Sequence, residues 1–263
     1  MQRLFFYGLV LVGLPVAGVC AHGPQIQVTQ EGGKVVTRSL IGDGPYSDSA
    51  TPERSVYVMP LAPHNGAWYA RPNPGLVPDP LNPGSFAPHY YSGPGFAPGY
   101  GATFDTGSVL SVGFTTGLQK WDGAAFVDAG DAQLRGFQGS NPAAPSAAMF
   151  TQDGAPSLAM LSVPVSADPE THGTIRYSLE GDAAPLGIYL ASLSLATSQS
   201  GVGASDAYHF VLFRGVGQAE LGAAVASLGY APALVQVVPE PAAGACLAVA
   251  ALSAVGLLRR RRT

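Results

Sequence analysis

The chain reads as an all-β protein, a sandwich or jelly-roll-like domain carrying one long Pro/Gly-rich loop. Three observations carry that expectation. Short runs of β-branched and aromatic residues recur every ~8–12 residues between Gly, Asp and Pro punctuation. A single run, 218–228, has the Ala, Leu and Glu composition of a helix. The apolar stretches 4–16 and 242–258 stand apart at the two ends, as membrane-type segments rather than core.

In chain order, 26–28 and 34–41 are expected as strands around Glu31-Gly32-Gly33, a hairpin turn, with Gly42-Asp43-Gly44-Pro45 ending the second. A further strand is expected over 55–59. From 60 to 101 Pro and Gly recur every few residues, which removes ladder donors and fixes φ, so regular structure is not expected there. Trp68, Tyr69, Phe86, Tyr90, Tyr91, Phe96 and Tyr100 lie within it, and disordered linkers are poor in such residues. The insert is therefore read as a long loop packed on the domain. Beyond it, 109–114, 118–121, 125–127 and 133–137 read as strands joined by tight turns at Gly117, Asp122-Gly123 and Ala129-Gly130-Asp131. An Ala/Pro/Ser-rich second loop covers 140–157, and stronger strands follow at 158–165, 172–180, 187–196 and 207–214. The run 218–228 is a short closing helix or the start of a linker.

The N-terminus has a positive Arg3, an apolar run over 4–16 and small residues up to Ala21, the layout of a signal peptide over 1–21 cut before His22. The exported domain is then 22–230, with 231–263 as linker and C-terminal segment. The chain has 13 basic and 17 acidic residues; five of the basic ones are Arg3 and the four terminal arginines, so the stretch 22–240 holds eight against 17, a formal charge near −9. Such a domain does not suit nucleic acid, which rewards clustered Lys and Arg. Cys20 and Cys246 both fall in the end segments, so the domain has no disulfide framework, thiolate metal site or cysteine nucleophile of its own.

Pro239-Glu240-Pro241 runs directly into the 17 apolar residues 242–258, and Arg259, Arg260, Arg261 and Arg262 close the chain before Thr263. The apolar length approaches the ~20 residues that cross a bilayer, and the arginines hold its end on the cytoplasmic side. This tail resembles the PEP-CTERM sorting signal. The resemblance implies a transmembrane sorting helix, processing by an exosortase near the Pro-Glu-Pro motif, and delivery to the cell surface or extracellular matrix.

Histidine is the remaining strong transition-metal ligand. His22, His64, His89, His172 and His209 all lie in the exported part, with no His-Glu-x-x-His, Gly-x-Ser-x-Gly, phosphate loop or EF-hand loop. A mature chain starting at His22 offers an imidazole and an α-amine from one residue, donors that suit copper or zinc. One further histidine would complete a copper brace of the kind used by lytic polysaccharide monooxygenases; a third protein ligand would make a zinc site. If strands 172–180, 187–196 and 207–214 form an up-down-up meander, His172 and His209 lie at the same end of the sheet, with Glu170 as an oxygen ligand or outer partner. His64 and His89 each follow a proline in the insert and would reach in from the loop.

The text His172-Gly173-Thr174-Ile175-Arg176-Tyr177-Ser178-Leu179-Glu180-Gly181, then Gly187-Ile188-Tyr189-Leu190 and Tyr208-His209-Phe210-Val211-Leu212, resembles the closing half of a family of PEP-CTERM proteins repressed by the zinc uptake regulator. That resemblance implies a zinc-handling envelope protein. The expectation is a non-enzymatic envelope or matrix protein that binds zinc or another divalent metal through these histidines. The alternatives are a copper oxidative enzyme built on His22, and a metal-free structural module whose insert aromatics stack on polysaccharide.

Overall fold

The structure is a computed structural model that describes residues 25–41, 51–64, 67–70, 76–78, 86–88, 95–97, 104–138, 143, 145–151, 160–165, 175–182 and 184–237. Over these residues the chain is all-β apart from one α-helix and one 3-10 turn. The first hairpin is β1 (Gln25–Glu31) and β2 (Lys34–Ile41), turned at Gly32 and Gly33 with φ of 56° and 79°, the left-handed region that favours glycine. Next come β3 (Val56–His64) and β4 (Ala67–Ala70), themselves a hairpin, and three short strands, β5 (Leu76–Pro78), β6 (Phe86–Pro88) and β7 (Gly95–Ala97). β5 pairs with β6, and β7 runs parallel to β1. The chain continues through β8 (Val109–Phe114), β9 (Gln119–Trp121), β10 (Phe126–Asp128), β11 (Gln133–Gln138), β12 (Ala147–Phe150), β13 (Leu161–Pro164) and β14 (Arg176–Glu180). It closes with β15 (Gly187–Thr197), β16 (Tyr208–Arg214), α1 (Gln218–Ser227), a 3-10 turn (Pro232–Leu234) and β17 (Val235–Val237).

The large sheet changes partners at β3. Its first half, from Val56 to Pro60, runs parallel to β16; from Leu61 onward it runs antiparallel to β4. Pro60 sits at the switch, where a residue without an N–H interrupts neither ladder. One block is ordered β10-β9-β15-β16-β3, with β8 on the far half of β15, β13 on β8 and β17 on β3. The other is β4-β14-β11-β12. Their side chains meet in the main core, where the Tyr177 ring of β14 lies 4.9 Å from Phe210 of β16 and 6.4 Å from Phe114 of β8.

Alternation along β16 divides the two faces. Tyr208, Phe210 and Leu212 point into the main core, while Val211 and Phe213 point to the other side with Val56, Val58, Ile188 and Leu190. On that second face α1 packs through Ala224, with Leu221, Val225 and Leu228 partly buried beside it. Each fully buried aliphatic or aromatic side chain contributes about 1.5–3 kcal/mol, so the two apolar clusters are the main source of stability among the described residues.

Four differences from the sequence reading have physical causes. The insert is not wholly irregular: 60–64 and 67–70 are paired strand, because Pro60 and Pro63 occupy places where β3 exchanges or ends its pairing. Residues 147–150, expected in a loop, form β12 against β11. The meander does not form. β14 pairs with β4 and β11, not with β15, because the segment after Glu180 carries the chain across the core to the other block. Strand structure also runs on to Val237, past the expected linker start at 231, because β17 adds beside β3.

Candidate functional site

Among the described residues, the second face carries a polar cluster built around a sequence-predicted site residue. β15 and β16 pair antiparallel with Ser192 opposite His209, so both side chains leave the sheet on the helix side. Ser192 Oγ lies 2.9 Å from His209 Nδ1. After α1 the chain reverses at Gly229, φ 72°, which brings Tyr230 back over the strand. The Tyr230 hydroxyl lies 2.9 Å from His209 Nε2, and the two rings are 5.3 Å apart. Both hydroxyls can donate or accept, so either neutral tautomer of the imidazole is fully hydrogen-bonded. Burial of the ring pushes the His209 pKa below its usual value, favouring that neutral form. Burial, then the charge of Asp206, pushes the Tyr230 phenol up.

Chemically this is a tie between strand, strand and closing segment. The Ser–His spacing is that of a nucleophile and its base, but the far nitrogen meets a phenol instead of a carboxylate. Ser192 is only 6 % exposed, within β15. A metal at His209 would have to displace one of the two hydroxyls.

Beside Tyr230 an apolar groove of about 950 Å³ opens between α1, the sheet and β17. Val58 and Phe213 form its floor, Leu221 and Val225 one wall, and Val235 and Val237 the other. None of its lining residues carries a charge.

The structure does not describe the side chains of the other expected ligands. His22, His89, Glu170 and His172 lie outside the described residues, as do Pro239, Glu240, Pro241 and Arg259 to Arg262. His64 ends β3 opposite Ala67, its side chain outside the described set. Among the described residues no group of three or more His, Cys, Asp or Glu side chains comes together. Among them, too, no helix is long and apolar enough to cross a membrane. Two insert aromatics are packed into the domain: Tyr69 is buried, and Trp68 lies 3.6 Å beneath the Arg214 guanidinium.

Sequence reasoning missed Ser192 and Tyr230. Alternation along the strand puts His209 on one face with Val211 and Phe213, but its partners depend on strand register and on how α1 folds back, which no local pattern encodes. No family model, curated protein or solved structure matches this chain.

Proposed function

We propose that the chain is an exported, non-enzymatic protein of the cell envelope or extracellular matrix, in which a β domain is delivered by its C-terminal sorting segment. The observation that carries the reading is the order of the tail: Pro239-Glu240-Pro241, 17 apolar residues, then Arg259, Arg260, Arg261 and Arg262. A processing enzyme of the exosortase type is the partner this tail implies, with the bilayer as its substrate-presenting surface.

The domain supports the reading in two ways. Its two blocks of strands, facing each other across the main core, are best taken as a sandwich, a common form for surface modules. It is cysteine-free between the end segments, so thiol–disulfide exchange outside the cell does not touch its stability. Cell fractionation tests the proposal. The intact chain should reach the surface or medium, and Glu240→Ala together with loss of the four arginines should leave it unprocessed in the inner membrane. Equal delivery of both forms would sink it.

A second reading, zinc capture through His22, His172 and the insert histidines His64 and His89, rests on the resemblance to the zinc-regulated family. Calorimetric titration of the mature domain with zinc tests it; a site weaker than ~10 µM, about 7 kcal/mol of binding free energy, is too weak for scavenging.

A further inference from the structure

We infer that the groove between α1 and β17 is a docking site for the chain's own apolar segment, 242–258, which it shelters from water before membrane insertion. The chain leaves the described domain at Val237, and Val237 is itself part of the groove wall, 60 % exposed. The apolar segment begins five residues later, within ~17 Å of Val237 even at full extension. Groove and segment match in chemistry. The lining of the groove carries no charge, and neither do residues 242–258, whereas the rest of the exported domain is acidic. A helix of 17 residues is ~25 Å long and ~10 Å across, close to ~2,000 Å³. A groove of about 950 Å³ is close to half that volume, enough for one face along most of the segment and not its whole girth. Weak contacts suffice, because a short tether holds the segment at millimolar effective concentration. This inference goes beyond the sorting proposal and does not depend on it: a tail that merely anchors the protein needs the same shelter.

The two native cysteines make the test direct, since Cys20 and Cys246 lie in the two different end segments. In the full chain carrying Cys20→Ser, a single cysteine is introduced at Gln218→Cys or Ala226→Cys, both exposed positions lining the groove. Ala223→Cys, exposed on the same helix outside the lining, is the control. Mild oxidation without detergent or lipid should close an intramolecular disulfide to Cys246 at both groove positions at least tenfold faster than at the control. Circular dichroism of each variant confirms that the domain is folded. Equal rates at all three positions overturn the inference. So does a disulfide-linked dimer, which assigns the groove to a second copy. A faster reaction with Cys20, in the parallel set carrying Cys246→Ser, overturns it in favour of the N-terminal segment.

Discussion

Replacing Tyr177 by Phe is expected to stabilise the protein. Four tyrosines, Tyr57, Tyr177, Tyr189 and Tyr208, are buried in the main core, and the Tyr189 hydroxyl donates to Asp182. The Tyr57 hydroxyl donates to the Arg38 carbonyl at 2.7 Å, whereas those of Tyr177 and Tyr208 have no hydrogen-bond partner among the described residues. Burial drives the Tyr177 phenol pKa far up, so its hydroxyl stays neutral throughout the accessible pH range. A buried hydroxyl without a partner costs about 1–3 kcal/mol of desolvation. Phenylalanine removes that cost and keeps the ring in its edge-on contacts with Phe114 and Phe210. Allowing for the small void left behind, Tyr177→Phe should gain about 1 kcal/mol, or about 2–4 °C in Tm for a domain of this size. Tyr57→Phe makes the same change in volume but breaks a bond, and should lose about 0.5–1.5 kcal/mol. Urea unfolding, followed by tryptophan fluorescence from Trp68 and Trp121, measures both; the slope of the transition should stay constant. A loss at Tyr177 as large as that at Tyr57 would refute the reasoning, because it would mean that the Tyr177 hydroxyl is bonded.

Other outcomes follow from the same geometry. His209 has a lowered folded pKa, so its contribution to stability is complete above its unfolded pKa of ~6.5 and is lost as pH falls from there through the folded value. The stability gap between the native protein and His209→Gln should therefore narrow from pH 8 to pH 5; a constant or widening gap contradicts the buried neutral imidazole. Gly181 has φ 81°, and a Cβ there would lie 2.3 Å from the Asp131 carbonyl oxygen. Gly181→Ala should cost more than about 2 kcal/mol by thermal unfolding, through left-handed strain and collision with backbone. Gly222 lies inside α1 with open space at its Cβ position, so Gly222→Ala should raise stability by about 0.5–1 kcal/mol.

Local signals were legible where the chemistry is local. The first hairpin announces itself through Gly32-Gly33, and β8, β9, β11, β15 and β16 through β-branched and aromatic runs between turn residues. β12 has no such signal: Ala147, Ala148 and Met149 are poor strand formers, and their pairing comes from the neighbouring β11. β4 hides its Trp68 and Tyr69 among prolines and glycines. Partner choice was not legible. The parallel pairing of β3 with β16 joins residues some 150 apart in sequence, and the placement of β14 follows from packing Tyr177 against Phe210. Of the candidate site, only His209 was legible, as a histidine on a strand. Tyr230 enters only because α1 ends at a left-handed glycine, and the groove exists only because β17 returns to β3.

The sorting proposal is tested most directly by the C-terminal peptide of the protein recovered from the surface or medium of cells that contain an exosortase. Mass spectrometry should find a chain ending close to Pro239-Glu240-Pro241, with residues 242–263 gone. Recovery of surface protein that still ends at Arg262-Thr263 would contradict it.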